Sequence, residues 1–378
     1  MSYILTKAKD IYVNLRGFHT KRKLLIIESD DWGSIRMPSK AVFNSLKEQG
    51  DNPEKDAFLS NDSLESEEDL NNLFEVLSSV KDFKGNFATI TANFAIANPD
   101  FEKIDFSEGY YAYEPFYGTY ERYYGKNNSI LSTVKEAAKQ GFFVPQLHCR
   151  EHLSVDRWIK DLKNGITDTI KAFNNKMIGI GKSFSENNPF GYMDAFNSNY
   201  TSDAKLADIL TEAARVFEGT FDFQSNTFVA SCFVWSERFE KTLFDNKIKG
   251  IQSAPWQNIP VCKNEKYTFK RKLHYTGERN KLGQVYTVRN CSYEPAYLQN
   301  PDECVAKCLT EIKNSFAYKK PAIINSHRFN YIGSINPENA KNNLLGLKKL
   351  LTQVIDIYPD VEFISTPQLV DIILQEKK

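Results

Sequence analysis

The stretch 142–153, FFVPQLHCREHL, carries two histidines four residues apart and could therefore hold a metal ion. Read as His-x-x-Glu-His, it fits an inverted zinc-protease signature, in which both histidines lie on one helix face and Glu151 acts as the base. Read as His-x-x-x-His, it fits a metal pair, His148 and His152, at the end of a β-strand. The two interpretations require different elements around the histidines.

The residues that precede His148 favour the strand. Pro145 would interrupt a long helix at this point, and FFVPQL is apolar and β-like. A protease would also leave two other stretches, ESDDWG at 28–33 and NSHR at 325–328, without a role. The protease is therefore kept as the less favoured alternative.

Two adjacent aspartates could complete the metal site. A catalytic site needs a third ligand and one open position for water. Asp30 and Asp31 end the apolar run KLLIIESDD at 23–31, and either carboxylate could serve. An Asp-Asp pair at the start of a helix is also a common cap, and a His-Arg pair such as His327 and Arg328 after an apolar run is often only structural. These residues can form a functional site only if the fold brings them together.

The elements that must position these groups alternate between strand-like and helical patterns, which predicts a parallel α/β protein. Strands are predicted at 23–31, 86–94, 142–148, 227–236, 251–255, 321–328 and 361–366. The clearest helices are predicted at 38–49, 66–82, 302–319 and 337–357, and a hairpin is predicted within 267–290. Polar residues fall at the strand ends, so we predict a (β/α) barrel of seven or eight parallel strands, incomplete or distorted, rather than an open sheet.

We expect one domain over residues 1–378, because no repeat, low-complexity tract or linker divides the chain. Two insertions are predicted, at about 99–128 and at 256–300. The first contains DFSEGYYAYEPFYGTYERYYG at 105–125, whose aromatic rings could stack on sugars or pack the insertion against the barrel. Both interpretations remain open at this point.

Three motifs in chain order, IIESDDWGS, QLHCREH and AIINSHR, resemble those of the polysaccharide deacetylase family, which is also called carbohydrate esterase family four. The resemblance implies a (β/α) barrel and a metal-dependent N-deacetylase. It makes Asp30 similar to the catalytic base and His327 similar to the general acid. Asp31, His148 and His152 are similar to the ligands of a divalent cation, for which zinc is expected and Co²⁺, Ni²⁺, Fe²⁺ and Mn²⁺ are alternatives.

The sequence departs from the family pattern at two places. Cys149 stands where a serine or threonine usually follows the first histidine of the second motif. The family's third motif ends a strand with an arginine–proline pair whose arginine orients the catalytic aspartate, and ASCFVWSERFEKTL at 230–243 lacks that pair. Arg150, between the two motif histidines, and Arg328, after His327, are the candidates to replace it.

Six residues are expected to bind the substrate: Trp32, Asn93, Trp235 and Trp256 at predicted strand ends, together with Arg150 and Arg328. Trp256, in SAPWQN, is similar to the family's apolar motif beside the acetyl pocket. The resemblance implies removal of an N-acetyl group from an amino sugar in a polysaccharide, oligosaccharide or glycan precursor, with release of acetate. A degenerate barrel that binds carbohydrate without catalysis is the alternative from the binding class.

The charge composition argues against some classes of partner. Lys+Arg and Asp+Glu cancel at 48 each, so no global field attracts nucleic acid or an anionic membrane. The first 23 residues contain no apolar core or cleavage site of a secretory signal, and no apolar run could span a bilayer. We therefore expect a cytoplasmic protein with reduced thiols, whose N-terminal segment closes the barrel or, alternatively, lies on a membrane surface.

Overall fold

The centre of the fold is a curled sheet of nine parallel strands, seen in a computed structural model that describes residues 12–180, 189–263 and 266–376. The strands in chain order are β1 (Lys23–Trp32), β2 (Ile90–Ala95), β3 (Ala97–Pro99), β4 (Tyr113–Pro115), β5 (Phe143–Cys149), β6 (Thr227–Val229), β7 (Gly250–Ser253), β8 (Trp256–Lys263), β9 (Lys266–Leu273), β10 (Val285–Val288), β11 (Cys291–Ser292), β12 (Ala322–His327) and β13 (Val361–Phe363). The sheet order is β10-β7-β6-β5-β2-β1-β12-β11, and β13 pairs with the start of β1.

One extended segment, 285–292, joins the two ends of this sheet. Its first part, β10, pairs with β7, and its last part, β11, pairs with β12. Between them, the Arg289 amide donates to the Ser253 carbonyl at 2.9 Å and the Asn290 amide donates to the Ile323 carbonyl at 3.1 Å. The predicted (β/α) barrel is therefore confirmed in an incomplete, distorted form.

Helices cover the outside of the barrel, and several of them begin at a residue whose side chain caps the helix. They are α1 (Lys40–Glu48), α2 (Ala57–Asn61), α3 (Glu67–Ser78), α4 (Phe116–Tyr124), α5 (Ile130–Lys139), α6 (Val155–Lys163), α7 (Thr167–Asn174), α8 (Asp203–Phe221), α9 (Phe239–Asp245), α10 (Pro295–Leu298), α11 (Pro301–Ala317), α12 (Pro337–Ile357) and α13 (Thr366–Gln375). Ser66 and Asp69 form the capping box of α3, and Ser365 and Gln368 form that of α13.

Alternate residues of β1 divide the core in two. Leu25 and Ile27 belong to the large cluster that includes apolar residues of α3 and α12, whereas Leu24 and Ile26 pack with residues of α13. Because side chains alternate along a strand, Glu28 and Asp30 continue the face of Leu24 and Ile26. That face is apolar towards α13 and becomes acidic at the carboxyl end of β1, where the active site of such a barrel is expected.

The structure differs from the predicted elements at two places. The strand predicted at 227–236 ends at Val229, since Cys232 and Phe233 have φ angles of 56° and 55°, which a β-strand does not allow. The hairpin predicted within 267–290 is instead formed by β8 and β9 at 256–273, and residues 285–288 belong to the barrel. The N-terminal segment lies mostly outside the described residues.

Some of the aromatic rings in the insertion at 105–125 pack against other parts of the protein. Tyr111 lies edge-on to Trp158, with ring centroids 6.4 Å apart, and Phe106 lies edge-on to Phe173 at 5.2 Å. Tyr110 and Tyr117 remain exposed. Packing therefore accounts for Phe106 and Tyr111, and the substrate-wall interpretation has no contact in its favour.

Two findings concern the chain as a whole. Within the described ranges, no helix combines the length and apolar character needed to cross a membrane. All six cysteines fall in those ranges and are free thiols, as expected from the sequence. Cys304 and Cys308 are buried one turn apart on α11, where they pack as small apolar residues.

Candidate active site

The two adjacent aspartates lie at an irregular end of β1. On a regular strand, Asp30 and Asp31 would face opposite sides of the sheet. Asp31 instead has a φ of 76°, and the pairing of β1 with β2 shifts register between Ser29 and Trp32. This bulge redirects the chain, and both carboxylates make their contacts at the carboxyl end of the barrel.

Asp31 meets the two motif histidines in a buried cluster. One ligand atom from each of Asp31, His148 and His152 lies within 4.8 Å of the others. Asp31 Oδ1 is 3.4 Å from His148 Nε2 and 3.5 Å from His152 Nε2. These separations are longer than good hydrogen bonds, and the three atoms surround a common point.

The ionisation of these groups fits a divalent metal ion at that point. His148 Nδ1 donates to the Val229 carbonyl at 2.8 Å, so Nε2 is the ring nitrogen that remains for a metal ion. Burial lowers the pKa of His152 to about 3, so this ring is neutral at pH 7. Asp31 Oδ1 is buried and has no hydrogen-bond partner among the described residues. One carboxylate and two imidazoles with an open position form a donor set typical of catalytic zinc.

Arg36 holds the other oxygen of Asp31. Its Nη2 is 3.0 Å from Asp31 Oδ2, and its Nε is 3.1 Å from Asp62 Oδ2. Burial alone would raise the pKa of Asp31, but Arg36 and the nearby histidines hold that pKa well below its ordinary value. Asp31 is therefore an anion whose free oxygen faces the histidines.

Asp30 is held separately, by Arg289 at the end of β10. Arg289 Nη1 donates to Asp30 Oδ2 and Nη2 donates to Oδ1, both at 2.7 Å, in a bidentate pair. Asn93 Nδ2 also donates to Oδ1 at 2.7 Å. Burial opposes ionisation of Asp30, but Arg289 outweighs it and lowers the pKa to about 2. The carboxylate is charged and fixed in one orientation.

Arg289 is itself buried between acidic and amide groups. Its Nε donates to Glu28 Oε2 at 2.6 Å, and its Nη1 donates to Asn325 Oδ1 at 2.7 Å. The second oxygen of Glu28 accepts from the Thr366 hydroxyl at 2.8 Å, at the start of α13. The orientation of Asp30 is thus tied to three strands and one helix.

Neither arginine proposed to replace the family's arginine contacts Asp30. Arg150 pairs with Glu151 and Glu212, and Arg328 pairs with Asp62 and Glu65. The prediction for both is wrong, since each guanidinium is already neutralised away from Asp30. Arg289 was missed because its stretch was interpreted as a hairpin. The signal was VYTVR at 285–289, a β-branched run that ends in a charged residue, as β1 does.

His327 lies beside Asp30, because β12 pairs with β1 in a register that matches these two residues. Its Nδ1 is 2.6 Å from Glu294 Oε1, and Glu294 also accepts from the side-chain amides of Asn325 and Asn330, both at 2.7 Å. Burial would lower the pKa of His327, but the Glu294 carboxylate raises it to about 9. The ring is charged at neutral pH, and its pairing through Nδ1 leaves the Nε2 proton for transfer. Glu294 was not foreseen from the sequence.

The tryptophans expected to contact substrate lie elsewhere. Trp32 is 1% exposed and packs edge-on to Phe143, with ring centroids 4.9 Å apart. Trp235 is 0% exposed, and its indole nitrogen donates to Glu240 at 3.3 Å. Since a buried ring has no free face for a sugar, both predictions are wrong. Trp256 is half-buried at the start of β8, and its role stays a prediction.

Asn93 has a different role from the one expected. It is fully buried and donates to Asp30, and it exchanges two amide hydrogen bonds with Gln252, of 2.7 and 2.8 Å. It therefore positions the aspartate and has no open side towards a substrate. Its placement at a strand end was foreseen from the sequence, but its partner was not.

The helical protease motif does not form. His148 lies in β5, and residues 150–153 make a bend rather than a helix. Glu151 is engaged by Arg150 through two hydrogen bonds of 2.6 and 2.7 Å. Cys149 is fully buried in the main core, and burial raises its thiol pKa well above the ordinary value. The metal pair at a strand end is the interpretation that the geometry supports.

No family model and no curated protein matches the chain. It is similar to the solved structure of a protein assigned as a polysaccharide deacetylase from Mycobacterium smegmatis, with 9% identity and a TM-score of 0.45, over 95% of this chain and 94% of that one. It is similar to Puue allantoinase, with 9% identity and a TM-score of 0.46, over 94% of this chain and 93% of that one. It also spans 40% of the length of a 4-α-glucanotransferase from Thermococcus litoralis, at 8% identity, a TM-score of 0.44 and 93% coverage of this chain.

Proposed function

We propose that this protein is a metal-dependent hydrolase that removes an N-acetyl group from an amino sugar in a polysaccharide, oligosaccharide or glycan precursor and releases acetate. One observation carries the proposal: the donor set of Asp31, His148 and His152 adjoins both an oriented carboxylate, Asp30, and a charged imidazole, His327. Hydrolysis of an amide needs these three components.

The three donors would hold a divalent ion, with zinc as the expected one. Such an ion, when bound, polarises a carbonyl oxygen and lowers the pKa of water from about 15.7 towards about 7. Arg36 keeps Asp31 ionised, and the Val229 carbonyl fixes the ring of His148. These outer contacts orient the ligands before any ion arrives.

Asp30 accepts the proton of the attacking water. Its Oδ1 accepts two hydrogen bonds, from Arg289 and Asn93, whereas its Oδ2 accepts one, from Arg289, among the described residues. A carboxylate oxygen can accept two, so Oδ2 retains the free lone pair. Arg289 therefore decides both the charge of Asp30 and the oxygen that receives the proton.

His327 donates the proton that the departing amine needs. An amine leaves a tetrahedral carbon only when it is protonated, and a positioned acid supplies this proton in the transition state. Glu294 keeps His327 charged with a pKa of about 9. After transfer, the same carboxylate favours the return of the proton from solvent.

The two alternative functions were based on features that the described residues do not have. The carbohydrate-binding barrel without catalysis was based on a missing arginine, and Arg289 makes the contact with Asp30 that such an arginine would make. The zinc protease needs Glu151 as a free base on a helix, whereas Glu151 is paired with Arg150 in a bend. No described contact favours either alternative.

The direct test is acetate release from N-acetylated chito-oligosaccharides by the Zn²⁺-loaded protein. We expect Asp30→Asn and His327→Gln each to lower kcat by roughly 10²–10⁴-fold while metal content stays at the wild-type level. Asp360→Asn serves as a control, because Asp360 is an exposed partner of Lys23, which lies at the start of β1, whereas Asp30 lies near its end. Bound metal with no acetate release, and with no effect of Asp30→Asn on any acetylated sugar, would contradict the proposal.

A further inference from the structure

The end of the barrel opposite the candidate site has a surface of its own, which we call the lower face. Four segments that lead into β1, β2, β12 and β13 form it: 12–23, 81–87, 316–320 and 356–362. These strands are parallel, so their starting ends meet at one end of the sheet. Asp30 and His327 lie at the other end, where such strands finish.

Contacts between the four segments join them into one surface. The Thr20 amide donates to the Lys319 carbonyl at 2.8 Å, and Lys320 Nζ donates to the Phe18 carbonyl at 2.9 Å. One carboxylate oxygen of Glu362 accepts from both Arg22 and Lys84, each at 2.6 Å. The lower face is therefore continuous from segment 12–23 to the other three segments.

The lower face is basic, although the charges of the whole chain cancel. Its segments contain eight lysines and arginines against four aspartates and glutamates. Asp82 is buried, and Asp360 and Glu362 pair with cations of the same face. Asp356 is opposed by four exposed cations that make no ion pair with a described carboxylate: Arg16, Lys21, Lys81 and Lys319. A positive field therefore faces the solvent at this end of the barrel.

Large apolar side chains stand among these cations. Four of them, one from each segment, are 40–62% exposed: Tyr318, Ile357, Phe83 and Leu15. Lys84 Nζ lies 5.4 Å from the ring centroid of Phe83, so a cation and an exposed ring occur side by side. A single exposed apolar residue is ordinary on a protein surface, whereas several on one basic face indicate an interaction surface.

A membrane that contains anionic lipids has the chemistry that fits both features. Lysine and arginine are attracted to anionic headgroups, and apolar and aromatic side chains enter the boundary between the headgroups and the acyl chains. A nucleic acid would contact the cations through its phosphates, but its backbone offers no apolar environment to Leu15 and Ile357. The sequence before Tyr12, MSYILTKAKDI, lies outside the described residues and has the same mixture of apolar residues and lysines.

We propose that the lower face binds the surface of an anionic lipid membrane, so that the candidate active site at the other end of the barrel points towards the aqueous phase. The inference goes beyond the proposed function and does not depend on it, because no residue of the lower face belongs to the candidate site. Loss of acetate release would leave membrane binding unchanged, and loss of membrane binding would leave the chemistry of the site unchanged.

Sedimentation of the full chain with vesicles tests the lower face. We expect vesicles of phosphatidylcholine mixed with phosphatidylserine to bind about tenfold more tightly than pure phosphatidylcholine, and high salt to weaken this binding. Leu15→Ala/Lys21→Glu should lower the affinity for the mixed vesicles about tenfold, because an apolar contact is lost and a charge is reversed. The matched control is Leu345→Ala/Lys348→Glu, the same two changes on the exposed side of α12, where Leu345 is 60% exposed. The control should bind as the wild type does.

A second variant, Lys81→Glu/Lys319→Glu, leaves Leu15 and Lys21 in place and should also lose affinity, since the face spans all four segments. Urea denaturation of each variant establishes that it is folded. Equal binding of mixed vesicles by Leu15→Ala/Lys21→Glu and by the control would refute the proposal, as would full binding by Lys81→Glu/Lys319→Glu. Equal affinity for pure phosphatidylcholine would refute the role of the cations. Tighter binding of the wild type to duplex DNA than to the mixed vesicles would assign the face to nucleic acid instead.

Discussion

Arg289 and Asp30 are 259 positions apart in the chain and are joined by two hydrogen bonds of 2.7 Å. Arg289 leaves the sheet from β10, and Asp30 from β1, so the curl of the barrel brings them together. The pair is buried, and Glu28 is the second anion on the same guanidinium. Removal of the arginine would therefore leave two carboxylates without their cation.

Arg289→Gln should cost about 3–5 kcal/mol in the free energy of unfolding, the range found when a buried pair loses one partner. Arg22→Gln is a matched control, because Arg22 forms a similar pair with Glu362 but is 44% exposed, and it should cost less than about 1 kcal/mol. Urea denaturation measures both. Equal losses of unfolding free energy in the two variants would show that the buried Arg289–Asp30 pair contributes no more to stability than the exposed pair.

Arg289→Lys tests the orientation of Asp30 rather than stability alone. Lysine keeps the charge but cannot form the bidentate pair, so we expect kcat for acetate release to fall roughly 10–100-fold, as when an orienting group is displaced. Zn²⁺ content and KM should stay near the wild-type values, since neither Asp31 nor the histidines contact Arg289. A drop in Zn²⁺ content would assign Arg289 to the metal site instead.

The sequence was sufficient for the parts of the site that lie on regular strands. β1, β5 and β12 were predicted nearly to their ends, because each is an apolar run followed by polar residues. Parallel strands place those ends on one face, which predicted that the Asp30–Asp31 pair and the two motif histidines would meet; the resemblance to the polysaccharide deacetylase family then singled out Asp31 as the ligand. The alternation of strands and helices also sufficed for the barrel itself.

The missed residues depend on long-range geometry. Arg289 and Glu294 lie in a segment whose strands are four and two residues long, too short for a clear periodic pattern. Trp32 was placed at the site because it follows Asp31, but the bulge at Asp31 turns the indole into the core. A strand register or a positive φ changes which face a side chain meets, and neither can be read from a single sequence.

Removal of the metal should lower the melting temperature. Without an ion, Asp31 Oδ1 is a buried charge with no partner among the described residues, and binding to the folded chain alone adds about 2.7 kcal/mol at a ligand concentration 100-fold above Kd. Differential scanning fluorimetry with Zn²⁺ and with a chelator should show the shift. Asp31→Ala should abolish it, whereas Glu151→Gln should keep it; an unchanged shift in Asp31→Ala would contradict the assignment of Asp31 as a ligand.

The His327–Glu294 pair predicts how activity depends on pH. Glu294 raises the pKa of His327 to about 9, so the acid form persists through neutral pH and kcat/KM should fall only as pH rises through about 9. Glu294→Gln removes the cause, and the fall should move down by at least one pH unit. A profile whose alkaline limb is the same in both proteins would rule out His327 as the acid.

The His327–Glu294 pair also makes the stability of the folded protein depend on pH. The pKa of His327 is higher in the folded chain than its ordinary value of 6.5, so the folded state binds the proton more tightly. The stabilisation is fully present below about pH 6.5 and is lost as pH rises through about 9. Urea denaturation from pH 6 to pH 10 should show this loss in the wild type, and a much smaller one in His327→Gln.

Arg36 should control the affinity for the metal, although it donates no ligand. It bonds the oxygen of Asp31 that faces away from the histidines and also pairs with Asp62, so it fixes the direction of the ligating oxygen. Loss of such an outer contact typically lowers metal affinity by about 10–100-fold. We expect this loss for Arg36→Gln in competition titrations with a zinc-binding dye, and little change for Arg22→Gln. Arg36→Lys, which keeps the charge but not the two-point contact, should lie between them; if it matches wild type, charge alone is what Asp31 requires.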